Sequence, residues 1–131
     1  MFNLGLLLIR LVFGLTFAAH GTQKLFGWFG GYGLEGTGGW LESIGIKPGK
    51  LNALVAGLGE LIGGLLLALG VGMPIAAFLI TAAMLVAIAK VHGKNGYWAT
   101  AGGYEYNLAI IAVAIGMALV GPGAYTLLTL F

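Results

Sequence analysis

Four apolar runs, at roughly residues 3–26, 51–71, 74–91 and 104–120, limit what this chain can become. Each is close to the ~20 residues an α-helix needs to cross a bilayer's hydrocarbon. In lipid such a segment must satisfy its own backbone polar groups, which a helix does. The expected fold is therefore all-α: a polytopic membrane protein, a four-transmembrane-helix bundle in one domain spanning residues 1–131. Composition agrees, with 60% hydrophobic and 8% charged residues, where soluble domains carry about 25% charged. A water-soluble fold could not cover its surface with so few polar groups. The first run continues without a basic leader or a small-residue cleavage site, so it reads as a retained helix and not a signal peptide.

Only Gly72 and Met73 separate the second and third runs, which predicts a tight antiparallel hairpin with Pro74 at the first position of the next helix. Four spans place both termini on one side of the membrane (side A) and two longer loops on the other (side B). In the first loop, Trp40, Leu41, Ile44 and Ile46 with Glu42 and Ser43 suggest a short interfacial helix. Trp28, Tyr32 and Trp40, and then Tyr97, Trp98 and Tyr104 in the second loop, suit a belt at headgroup level. The 25 glycines suit close helix packing in lipid. Lys24, Lys47, Lys50, Lys90 and Lys94 all fall on side B, which the positive-inside rule makes cytoplasmic.

The absence of cysteine excludes disulfides, thiol relays, iron–sulfur clusters and covalent c-type haem. Nothing in the spacing of the two histidines favours haem or another metal, so none is expected. A net charge of +2 resting on so few groups does not point to nucleic acid.

Charge at membrane depth is costly and usually has a partner. The first run carries Arg10, His20 and Lys24, and the helical rise puts His20 about 9 Å and Arg10 about 24 Å from its side-B end. The second carries Glu60 mid-span, beside a small-residue face of Ala53, Ala56, Gly57, Gly63, Gly64 and Ala68, with Gly59-x-x-x-Gly63 adjoining. That face should point into the bundle, and an Arg10–Glu60 ion pair is the expected structural partnership. In the fourth run Glu105 shares a stripe with Ala112 and Gly116. Near side B the chain concentrates His20, Gln23, Lys24, Lys90, His92, Glu105 and Asn107 above Glu60. Within that group His20, Lys24, Glu60, His92, Glu105 and Asn107 are the candidate ligand-binding residues.

The chain resembles the DoxX family of small bacterial membrane proteins along nearly its whole length. The resemblance rests on Arg10 with Gly14, His20-Gly-Thr-Gln-Lys24-Leu-Phe-Gly27, Gly33-Leu-Glu-Gly-Thr37 and Leu41-Glu-Ser-Ile-Gly45. It continues in Gly59-Glu60-x-x-Gly63-Gly64, Tyr104-Glu105-Tyr106-Asn107 and Gly121-Pro-Gly-Ala-Tyr125. It implies a four-helix, multi-pass protein of the bacterial cytoplasmic (inner) membrane, with redox or quinone chemistry suggested through the related DoxD group and through complexes with secreted partners. Family members commonly carry basic termini, which implies cytoplasmic ends. This chain lacks them and has Leu128 where an aspartate is frequent, so resemblance and lysine count give opposite orientations.

Three functions fit. One is a quinone-associated redox subunit, with quinone as the cofactor and His20, Glu60 and Glu105 at its head; whether the chain is itself an enzyme is left open. Another is a non-enzymatic scaffold or assembly factor for an envelope partner. The third is a small proton-coupled carrier titrating at Glu60. The partners these imply are the lipid bilayer, a protein of an envelope redox complex and a second copy of the chain.

Overall fold

The apolar runs become helices almost to the residue. The computed structural model describes residues 1–127. In it α1 covers Phe2–Phe26, α2 Gly33–Ser43, α3 Gly49–Leu69, α4 Met73–Ala87 and α5 Glu105–Val120. Leu128 lies outside the described residues. A π turn over Ile88–His92 prolongs α4, and among the described residues there is no strand. Three stretches, Phe2–Phe26, Gly49–Leu69 and Met73–Asn95, are long and apolar enough to cross a membrane. The fourth expected span is shorter, 16 residues, which rise about 24 Å. The molecule is an all-helical membrane bundle in which α1 packs on α3, α3 on α4 and α4 on α5, with α2 laid against α3 and α1.

The hairpin between α3 and α4 forms as its sequence predicts. Gly70 takes the left-handed conformation (φ 73°) that closes a helix C-terminus. The N–H groups of Gly70 and Val71 both donate to the Leu66 carbonyl, at 2.9 and 3.1 Å. Pro74 then sits in the first turn of α4, where its missing N–H costs nothing.

Small residues set the closest contact in the bundle. Gly14 and Gly21, seven apart on α1, face Gly64 and Gly57, seven apart on α3, and the two helices run antiparallel. A Cβ on Gly14 would lie 2.5 Å from the Gly64 carbonyl oxygen, and one on Gly21 2.6 Å from that of Gly57. Backbones this close exclude any side chain, so glycine is a packing requirement here. Beyond the seam, Leu6, Phe17, Leu67, Met73, Ile80 and Met117 form the buried core. Leu8, Leu15, Phe78 and Leu119 point outward, the inversion of a soluble helix that lipid favours.

The small-residue face of α3 packs as expected, but positions adjoining it and on α5 stay open. Gly63 packs against Leu79 and Ile80 of α4, but nothing lies within 4 Å of the Cβ position of Gly59. On α5 the position of Gly116 is equally open and Ala112 is exposed, while Asn107, Ala114 and Met117 are buried. A small-residue spacing marks where helices can approach; the neighbour's position decides whether they do.

The interfacial helix also lies earlier than its hydrophobic residues suggest. It starts at Gly33 and ends at Ser43, leaving Ile44 and Ile46 in a turn whose N–H groups both return to the Leu41 carbonyl. Glu42 instead accepts from the N–H of Gly49 at 2.9 Å. Its carboxylate thereby caps the N-terminus of α3, an end that favours negative charge.

Candidate functional site

Arg10 and Glu60 do not pair, although the sequence expectation joined them. Arg10 is 1% exposed and among the described residues donates to carbonyl oxygens alone: Nε to Leu67 at 3.2 Å, Nη2 to Ala68 at 3.0 Å, and Nη1 to Pro122 and Tyr125 at 2.8 and 2.7 Å. Leu67 and Ala68 belong to the last turn of α3, whose carbonyls have no helical partner and whose dipole favours a cation. The guanidinium therefore ties the end of α3 to the segment after α5. Gly70 makes room for it, since a Cβ there would lie 2.8 Å from the guanidinium carbon.

Glu60 is held by Lys24, whose Nζ reaches both carboxylate oxygens at 2.7 Å. The reason lies in helix direction. Every Cα–Cβ bond leans toward its helix N-terminus, so on antiparallel helices Glu60 leans toward side B and Lys24 toward side A, each toward the other. Arg10 leans toward side A and away from Glu60. The Gly14–Gly64 and Gly21–Gly57 register sets Glu60 level with about Ala18, roughly 9 Å from Lys24 along the axis and roughly 12 Å from Arg10. Two side chains leaning together span the first separation; two leaning apart do not span the second.

The Lys24–Glu60 pair forms part of the wall of a cleft of about 830 Å³ between α1, α3, α4 and α5. Its size falls within the ~300–1,000 Å³ of small-molecule sites. Most of the wall is apolar, with Phe13, Phe17, Ala56, Leu79, Ala83 and Ile110 among its residues. His20, Lys24, Glu60, Lys90, His92 and Asn107 also line it, so the cleft gathers five of the polar residues that the sequence places near side B, together with Glu60 beneath them. The π turn at Ile88–His92 carries Lys90 and His92 at the end of α4, and such turns recur at functional sites. Trp40, Leu41 and Ile46 contribute a further wall. Trp40 thus belongs to the cleft as well as to the exposed aromatics, whereas Trp28, Tyr32 and Trp98 are outward-facing.

Glu105 and Gln23 are not cleft-lining residues. Glu105 accepts from the N–H of Ala99 at 2.8 Å and so organises the loop that enters α5. Gln23 supports His20 from behind. Its Oε1 lies 2.9 Å from His20 Nδ1, and its Nε2 donates to the Phe29 carbonyl at 3.2 Å. Phe29 is the one non-glycine residue of positive φ among those described (54°). The His20 ring also meets the edge of Phe17, centroids 6.4 Å apart. His92 has its Nδ1 2.9 Å from the Gly102 carbonyl. Asn107, 8% exposed, donates from Nδ2 to Met84 Sδ at 3.5 Å, a weak acceptor. Among the described residues no group of three or more potential metal ligands comes together.

A cleft of this kind can take an amphipathic molecule, its body against apolar side chains and its polar head among His20, His92, Asn107 and the ion pair. The Trp40 wall and the Glu42 cap escape sequence reasoning because both depend on where α2 lies.

A family model described as DoxX matches residues 5–93, which include every cleft residue named above except Asn107 and Ile110. Among curated proteins, one of Bacillus subtilis (strain 168) with the printed name "Putative oxidoreductase CatD" is 32% identical over 120 residues, 92% of this chain and 81% of that protein. No solved structure matches the chain.

Proposed function

The chain belongs to the DoxX family, and on that premise we propose that it is a quinone-binding redox subunit, multi-pass in the bacterial cytoplasmic membrane. The observation that carries the reading is the 830 Å³ cleft, apolar over most of its wall, which His20, Lys24, Glu60, Lys90, His92 and Asn107 also line. A quinone has the matching division, with a long apolar tail and a head whose oxygens need hydrogen-bonding groups. The Bacillus relative's printed name contains the word oxidoreductase, which agrees in direction.

When bound, a quinone supplies a two-electron, two-proton couple. This chain's own residues would hold the head, exclude water from it with Phe13, Phe17 and Leu79, and manage protons at the imidazoles. With no cysteine in the sequence, electrons would come through a protein partner or a further cofactor and not from a thiol couple of this chain. The Lys24–Glu60 pair is the fixed polar element of the wall, and it keeps a buried carboxylate compensated.

The test is titration of purified protein in mild detergent with a short-chain quinone, following tryptophan fluorescence, with mass spectrometry of co-purified lipids in parallel. Saturable quenching is expected, weakened at least about tenfold by His20→Ala, a loss of about 1.4 kcal/mol. A cleft indifferent to quinone would sink the proposal.

One observation favours a second reading, a scaffold for an envelope partner. Trp28, Phe29 and Tyr32 are 54, 72 and 81% exposed, and Gln23 holds the Phe29 backbone in place. On that reading Phe29→Ala abolishes partner capture and leaves quinone titration unchanged. The carrier reading has less support, since both oxygens of Glu60 are engaged by Lys24. Proton-coupled flux in proteoliposomes that disappears in Glu60→Gln would restore it.

A further inference from the structure

We infer that both cleft histidines are fixed as Nδ1–H tautomers, so that each neutral ring presents Nε2 as an acceptor for a hydroxyl on the ligand head. The inference rests on reading the cleft as a quinone site and specifies how two of its residues meet the head.

The argument follows hydrogen-bond polarity. The Phe29 carbonyl can only accept, so the group Gln23 turns toward it, at 3.2 Å, is the NH2. The amide oxygen of Gln23 is therefore the atom 2.9 Å from His20 Nδ1. An amide oxygen also only accepts, and the proton between the two atoms must sit on Nδ1. The Gly102 carbonyl, 2.9 Å from His92 Nδ1, imposes the same tautomer on the second ring. A neutral imidazole with its proton on Nδ1 leaves Nε2 with a lone pair. Both rings line the cleft, and neither Nε2 has a partner among the described residues.

Asn107 points the same way. It is 8% exposed and lines the cleft. Among the described residues its amide donates to a thioether alone and its Oδ1 has no donor, so that oxygen is open to a ligand hydroxyl. Lys24 is engaged by Glu60, while Trp40, Tyr106 and Lys90 bring further donors to the wall. A hydroquinone head, with two hydroxyl donors, can meet the two imidazoles; the dimethyl ether of the same head cannot. Gln23, which touches no ligand on this account, is a positioning residue acting through His20.

The test uses the full chain in detergent micelles with ring-15N histidine. Long-range proton–nitrogen correlations are expected to place both ring protons on Nδ1, with each ring assigned from His20→Ala and His92→Ala. Gln23→Leu should release the tautomer of His20 and leave that of His92 unchanged. Binding is then compared for an alkyl hydroquinone and its dimethyl ether. The hydroquinone should bind at least about tenfold tighter, and Gln23→Leu should remove most of that ratio. Nε2-protonated rings in the unaltered protein would overturn the histidine account even if hydroquinone bound tightly. Equal binding of the two probes would overturn the acceptance of a ligand hydroxyl by the imidazoles. If neither probe binds while both tautomers are as stated, the quinone reading itself has failed, and the ligand half of this inference goes with it.

Discussion

Arg10 and Lys24 stand on the same stripe of α1, yet the two ends of that stripe are built differently. Arg10 is sealed at 1% exposure and neutralised by helix-end and loop carbonyls. Its surroundings leave no room for a ligand and every reason for rigidity. Lys24 keeps about a third of its side chain exposed and is neutralised by one carboxylate on the wall of a cleft. A planar guanidinium spreads its donors over several fixed acceptors and acts as a clamp, while an ammonium on a flexible stem meets one partner and leaves the neighbouring space open. An intramembrane charge is a functional candidate by default; on this helix the test of candidacy is whether the charge borders a cavity.

The comparison can be broken at four points. The largest effect is expected for Arg10→Leu, which removes charge-assisted hydrogen bonds and strands the Leu67 and Ala68 carbonyls. It should cost at least about 3 kcal/mol, read as a loss of the unfolding transition or of monodisperse protein in detergent. Normal stability in this variant would show that side A is not clamped as described. Lys24→Met should cost about 2–3 kcal/mol by leaving the buried Glu60 uncompensated, with Glu60→Gln in the same chain recovering much of it. A double-mutant cycle with coupling below about 0.5 kcal/mol would mean that the two side chains do not interact.

Next comes the glycine seam that sets the register of both sites. Gly14→Ala places its Cβ against the Gly64 backbone and should cost about 1–3 kcal/mol by overpacking. Gly59→Ala, with open space around it, should be neutral or slightly stabilising, since alanine favours helix. Equal effects of the two on the denaturation midpoint would contradict the observed seam. The smallest stability effect belongs to His20→Ala, within about 0.5 kcal/mol as for an exposed position. The same change should lose ligand discrimination, so function and stability separate at His20 and coincide at Arg10.

Much of the architecture was legible without coordinates. Apolar length announces the helices because lipid leaves a backbone no other way to satisfy itself. The two-residue gap Gly72-Met73 followed by Pro74 announces the hairpin, because so short a connection joins antiparallel neighbours and proline suits the start of the next helix; that Gly70 ends α3 came from the structure. The site was legible as an inventory. His20, Lys24, Lys90, His92 and Asn107 share one cleft because side-B helix ends bring them together, with Glu60 deeper in the same wall. Glu105 lies outside its lining, because a carboxylate in a helix's first turn can serve a loop N–H as readily as a ligand, and Ala99 supplies one.

The sequence by itself determined that charges would be buried among apolar helices and must find partners. Only the tertiary structure decided which partners. A helical wheel sets Arg10 and Lys24 on one stripe and cannot choose between them for Glu60, because it records angle around a helix and not the lean of a side chain along it. Antiparallel packing turns Lys24 and Glu60 toward each other and Arg10 away, toward the carbonyls that end α3. The same limit applies to glycine: spacing records that a helix can be approached closely, and only the position of its neighbour separates the Gly14–Gly64 contact from the open cleft beside Gly59.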